Sequence, residues 1–168
     1  MKEEYKDQEY LGSFSQSITM IACDPCYKRE YSAGPSLFNR IEVVAGVWDA
    51  FSYYFGGRVS KLETKLHGSY SSKYVVLVED CSVDSGQFGF YDDTIFPYYD
   101  ERDYLDKDKF YGKCCDITMS KLQAGIIDDK GVVSSSGFGD GSYRVTVGKN
   151  TFDKINSITV EFISEEEY

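Results

Sequence analysis

The chain closes on two segments that leave little freedom. "SYRVTVG" (142–148) and "INSITVEFI" (155–163) each alternate apolar and polar residues, with Tyr143, Val145 and Val147 on one side of the first and Ile155, Ile158, Val160 and Phe162 marking the second. A period of two is that of an extended strand with one buried face, and the short link Lys149–Lys154 predicts an antiparallel hairpin. The rest of the chain reads in the same way. "SQSITMIAC" (15–23) alternates as a strand that stops at Asp24-Pro25, since Pro25 donates no ladder hydrogen bond and holds Asp24 extended. "RIEVVAGVWDAFSYYF" (40–55) is β-branched and aromatic, with Gly46 as a bulge or a turn into a second strand. Gly56-Gly57 is a hairpin turn, and the following "RVSKLETKLHG" fits a strand or a short helix. "KYVVLVEDCSVDSGQFGFYD" (73–92) starts as an apolar strand and restarts after Asp84–Gly86, and "AGIID" and "GVVSSS" add short strands. "DKDKFYGKCCDITMSKLQ" (106–123) is the best helix candidate, weakened by Gly112. The expected architecture is mainly β: a single antiparallel β-sandwich or half-barrel-like domain over 11–164, with a short helical, acidic insertion at about 91–121. A polar segment, 1–10, expected to fray, precedes it, and an acidic tail, 165–168, follows.

At 168 residues the chain suits one domain with its own core. The net charge is −10, and acidic residues concentrate in the N-terminus (Glu3, Glu4, Asp7, Glu9), in Glu165–Glu167, and in 79–108, where ten acids face only Arg102 and Lys107. Such a surface repels nucleic acid and attracts a basic partner, although acidity also serves solubility alone. No apolar stretch reaches the roughly 20 residues of a membrane span, and "MKEEYKDQEY" is no signal peptide, so a cytoplasmic protein with reduced thiols is expected.

Little of the sequence is chemistry-bearing. His67 is the single histidine, which removes histidine triads and histidine-rich metal sites and leaves it as a solvated turn residue. No nucleophile elbow, phosphate loop or dinucleotide fingerprint is present. "DKDKFYGK" begins like a calcium loop but places Tyr111 where glycine is required. Cys23 and Cys26 form a Cys-x-x-Cys pair, yet Cys114-Cys115 are adjacent and do not complete a zinc site, so no metal and no cofactor are expected and the thiols read as buried and unreactive. Three aspartates at bends remain: Asp24, Asp84 and Asp140. Converging at one end of a sheet, they could bind a small ligand or a divalent ion, or act in acid–base catalysis. Otherwise each accepts backbone N–H bonds in its own turn.

Those bends also carry a resemblance. "ACDPCY", "VDSGQFGFYDD" and "SGFGDGSYRVTVG…INSITVEF" resemble the domain-of-unknown-function 4241 family, over roughly residues 15–163, with Arg144 where proline is frequent and "DSGQ" for "DAG". The resemblance implies a shared β-rich fold and brings no activity. In "SGFGDGSY" the alternate glycines Gly137, Gly139 and Gly141 leave one face bare for close backbone approach, with Asp140 turned away to tie up amide groups.

The functional expectation is a non-enzymatic acidic protein that occupies a protein partner's basic surface, as immunity proteins and phage-encoded inhibitors of host defence do. A nucleic-acid-binding protein is one such partner, with no direct nucleic-acid or membrane contact expected of the chain itself. Residues 91–108 combine seven acids with Tyr91, Phe96, Tyr98, Tyr99 and Tyr104. Tyr98, Tyr99, Asp100, Glu101, Asp103 and Tyr104 are the expected contacts, the acids steering and the tyrosines anchoring. The aromatic residues could equally pin the insertion onto the sheet. The rival is a carboxylate-dependent enzyme or small-ligand binder using Asp24, Asp84 and Asp140.

Overall fold

In a computed structural model, which describes residues 8–29, 36–98, 106–164 and 166, eleven strands and one helix form two antiparallel sheets. The strands are β1 (Gln8–Gln16), β2 (Thr19–Cys23), β3 (Phe38–Glu42), β4 (Gly46–Phe55), β5 (Arg58–Leu66), β6 (Lys73–Val83), β7 (Gln87–Asp92), β8 (Ala124–Ile126), β9 (Gly131–Ser135), β10 (Gly141–Lys149) and β11 (Ile155–Glu161); α1 is Phe110–Thr118. One sheet runs β1-β4-β5-β11-β10-β6 and the other β3-β2-β7-β9-β8. This is the expected β-sandwich-like domain with one short helix.

The two predicted hairpins form as read. β10 pairs β11 with Val145 opposite Val160 and Val147 opposite Ile158. The ambiguous 58–68 segment becomes β5, joined to β4 across Gly56-Gly57, both with positive φ. Two expectations change. Residues 15–23 are not one strand: Ser17-Ile18 break them, so that β1 joins the first sheet and β2 the second. β1 also begins at Gln8, inside the segment expected to fray, because pairing with β4 (Gln8 opposite Tyr53) supplies backbone partners that a polar sequence cannot advertise.

Alternation then distributes the core. Met20, Ala22, Phe88, Phe90 and Val132 face the first sheet, where they meet Trp48, Leu62, Val145, Ile158 and Val160. The intervening residues Ile21, Cys23, Tyr91 and Val133 face outward into a second cluster closed by Phe96, Phe110, Cys114 and Ile127. α1 is the lid of that second layer. The central strands β2, β7 and β9 are thus buried on both faces, which is why they carry continuous apolar runs. Gly89 is the counterpart of Tyr91: a Cβ there would lie 2.3 Å from the Tyr91 hydroxyl, so the ring lies where a side chain would stand.

Candidate functional site

The three aspartate bends do meet, for a topological reason. The β6–β7 link crosses from the first sheet to the second, and the β9–β10 link crosses back at the same end, since β7 pairs β9 while β10 pairs β6. The two crossovers lie side by side, with Ser136 N–H donating to the Gly86 carbonyl at 3.0 Å. The turn after β2 lies next to them because β2 pairs β7.

Asp24 is fully buried at the centre of this corner. Its Oδ1 accepts from Cys26 N–H (2.8 Å) and from the Ser85 hydroxyl (2.6 Å); its Oδ2 accepts from the Asp84 and Ser85 N–H groups at 2.8 and 2.7 Å. A carboxylate offers about four lone-pair sites, and here all four are taken. The group staples the β2 turn to the β6–β7 crossover and has nothing left for an ion or a substrate.

Asp84 and Asp140 are exposed. Asp84 contributes its backbone N–H to Asp24, while the Asp140 carboxylate lies over Gly86, where a Cβ would sit 4.0 Å from its Oδ1. Among the described residues Asp140 binds no backbone amide, contrary to expectation. The glycine bend is closed instead by Ser136, whose hydroxyl donates to the Gly139 carbonyl (2.9 Å), and by the Tyr143 hydroxyl, 2.5 Å from the same oxygen and 3.2 Å from the Ser136 carbonyl. Close approach belongs to Gly137: at φ +65° an added Cβ would come 3.0 Å from Phe162 Cβ and Ile163 Cγ1, and 3.3 Å from the Val59 carbonyl. Gly139 needs positive φ but has open space around it, and Gly141 has no positive φ but an added Cβ there would come 3.1 Å from the Tyr143 hydroxyl. Among the described residues no group of three His, Cys, Asp or Glu is placed to share a metal ion.

All five cysteines are free and buried. Burial pushes the Cys23 and Cys26 thiols far above the ordinary range, with the charge of Asp24 adding to it. Burial likewise raises Cys114, and raises Cys81 to about 12 although Asn39 Nδ2 lies 3.5 Å from its sulfur. Such thiols stay protonated and are poor nucleophiles. Tyr111, on α1, is pushed up to about 12 by burial and by Cys115 beside it. His67 is an exposed turn residue, as read, but its Nδ1 lies 2.7 Å from Asp49 Oδ2.

The acidic insertion divides at its root. Tyr91 and Phe96 are buried and pin it to the second sheet. Asp92 is buried, accepting from Ser17 N–H and from Thr94 N–H and Oγ1, and these bonds hold its pKa down although burial opposes them. Asp93 binds Arg29 and Arg40; burial works against it too, and the Arg29 guanidinium with Arg40 outweighs that. Two of the seven acids are therefore structural. Arg29 is itself nearly buried. It donates to the Asp93 and Phe96 carbonyls and lies 4.0 Å from the Tyr98 ring centroid. Tyr98 is 70% exposed above it. Tyr99, Asp100, Glu101, Asp103 and Tyr104 lie outside the described residues.

Sequence reasoning missed Ser85, Ser136, Tyr143 and Arg29. Ser85 could have been found from its place beside Asp84 in "DSG", a common hydrogen-bonding turn pattern. Arg29 acts on residues more than sixty positions away, so no local signal announces it. No protein-family model, curated protein or solved structure matches the chain.

Proposed function

We propose that the chain is a non-enzymatic binding protein that lays an acidic, tyrosine-bearing face on the basic surface of a protein partner, in the manner of an immunity protein or a phage-encoded inhibitor of host defence. The observation that carries this reading is the platform under Tyr98. A buried arginine ties three parts of the insertion root together and holds an exposed aromatic ring on its guanidinium face. A preorganised, exposed tyrosine beside a strongly acidic segment has the composition of an interface anchor with electrostatic steering. The net charge of −10 supports a basic partner and disfavours direct nucleic-acid contact, and a partner that itself binds nucleic acid fits carboxylates spaced along the insertion. Membership in the domain-of-unknown-function 4241 family and a cytoplasmic setting belong to the same proposal and add no activity to it. The rival carboxylate enzyme has less support, because Asp24, its central group, has no free lone pair.

The test uses the whole chain as bait at low and high salt, beside Tyr98→Ala and the triple reversal Asp100→Lys, Glu101→Lys, Asp103→Lys. One basic protein should be retained by the wild type, be lost at high salt, and associate more slowly with the triple variant, because screening shortens to about 8 Å at physiological ionic strength. Retention of that protein with unchanged rate and salt dependence by both variants, each with wild-type melting, would sink the proposal.

A further inference from the structure

The two most exposed large apolar side chains among the described residues are Tyr70 and Phe152, at 91 and 81%. Each stands on a turn built to hold it out. In the β10–β11 turn, Asn150 Oδ1 accepts from the Phe152 and Lys154 N–H groups at 2.9 and 3.1 Å, and Asp153 takes a φ of +63°. In the β5–β6 link, buried Asn156 donates to the Tyr70 carbonyl (2.9 Å) and to Ser69 Oγ (3.0 Å), and accepts from the Ser71 hydroxyl (2.6 Å). The turns are laced to each other where Ser72 N–H donates to the Lys149 carbonyl at 2.7 Å, and where Lys73 and Lys149 share Asp153 at 2.8 and 3.7 Å. Turn apices are ordinarily polar, and neither ring belongs to a core cluster. Aromatic side chains held in water on a preorganised support have the form of contact anchors. Residues 68–73 and 149–154 hold three lysines and one aspartate, a local charge of +2 in a chain of −10.

The complement of this end lies on the chain itself. β10 places Lys149 opposite Lys73 at one end of the sheet and Gly141 opposite Val83 at the other. Toward that second end, about 16 Å of strand from Lys149, Arg144 lies opposite Glu161. An open cleft of about 690 Å³ is set there, lined by Glu79, Glu161 and Glu166, with Arg144 as its one cation among the described residues and Tyr143 and Phe162 in its wall. We infer that the chain associates head to tail, the Tyr70–Phe152 end of one copy entering the glutamate cleft of the next. The exposed Arg144 guanidinium, held by Glu79 at 2.6 Å, offers the Phe152 ring a cation to stack on, and Glu161 and Glu166 meet Lys149 and Lys154. Opposite charge on two sites that one chain carries together makes a second copy the occupant. The two sites are different surfaces, so each added copy leaves one of each free. The contact is heterologous, and growth does not stop at two.

Sedimentation of the purified chain over a concentration series tests this. The weight-average mass should rise past that of a dimer. Phe152→Ser with Lys154→Glu removes the entering end, and Glu161→Gln with Glu166→Lys removes the cleft; all four side chains are exposed, so melting should stay at the wild-type value. Each double variant alone should sediment as a monomer. Mixed, the two should form a one-to-one dimer that grows no further, because the mixture holds one kind of intact end and one kind of intact cleft. A wild type that stays monomeric, leaving the aromatic end to an acidic partner of another kind, would overturn the inference. So would a double variant that still assembles alone, or a mixture that stays monomeric.

Discussion

Replacing Asp24 by alanine removes the acceptor from four donors at once. Cys26 N–H is buried, and an orphaned donor of that kind costs about 1–3 kcal/mol. The Asp84 and Ser85 N–H groups and the Ser85 hydroxyl sit at a bend that is only partly buried, so water can replace the carboxylate there. Each of these should cost about 0.5–1 kcal/mol, the net worth of an ordinary hydrogen bond. The sum is about 2.5–6 kcal/mol, a large share of the stability of a domain this size. Asp24→Asn separates shape from acceptor capacity. Its one oxygen can serve Cys26 and Ser85 Oγ, but its NH2 group then faces the Asp84 and Ser85 amides, donor against donor, so the amide variant should also be clearly destabilised. Asp140→Asn, exposed and without a hydrogen bond among the described residues, should stay within about 0.5 kcal/mol of wild type. Urea unfolding reads all three through the midpoint at constant slope. A loss below about 1 kcal/mol in Asp24→Ala would refute the staple and return Asp24 to the pool of available carboxylates.

Gly137→Val should destabilise by about 2–4 kcal/mol through positive φ and contact with Phe162 and Ile163, whereas Gly139→Ala, strained in φ but in open space, should cost only about 1 kcal/mol; equal melting of the two would show that the bend is loose. The native thiols should resist a disulfide exchange reagent at neutral pH and all five react after unfolding, and elemental analysis should find no stoichiometric zinc; a fast native thiol or bound zinc would contradict the burial of the cysteines. Asp92 and Asp93 have depressed pKa values in the fold, so their contribution is present above the unfolded carboxyl pKa of about 3.9 and is lost as pH falls through the lower folded values. Unfolding followed between neutral pH and about pH 2 should therefore show stability falling below about pH 4, and Asp93→Asn should flatten that fall; an unchanged slope would show that Arg29 does not hold it.

Alternation and turn chemistry determined a good deal of this fold. Period two named the buried faces of β10 and β11, Gly56-Gly57 named the β4–β5 turn, and the switch near Gly46 and the restart after Gly86 were legible because residues that interrupt a strand do so locally. What alternation cannot express is which sheet a strand joins. Residues 15–23 keep one phase of apolar residues, yet the chain changes sheets at Ser17-Ile18, since pairing of β1 with β4 and of β2 with β3 and β7 is decided by partners distant in sequence. The same limit governs the candidate site. The sequence singled out Asp24, Asp84 and Asp140 as bend residues, and even that they could share an end of the sheet. Whether a carboxylate is free depends on which donors surround it, and Asp24 finds three of its four on a crossover sixty residues away. The apolar run of β6 reads like that of a buried strand; its place at the sheet edge exists only in the tertiary structure.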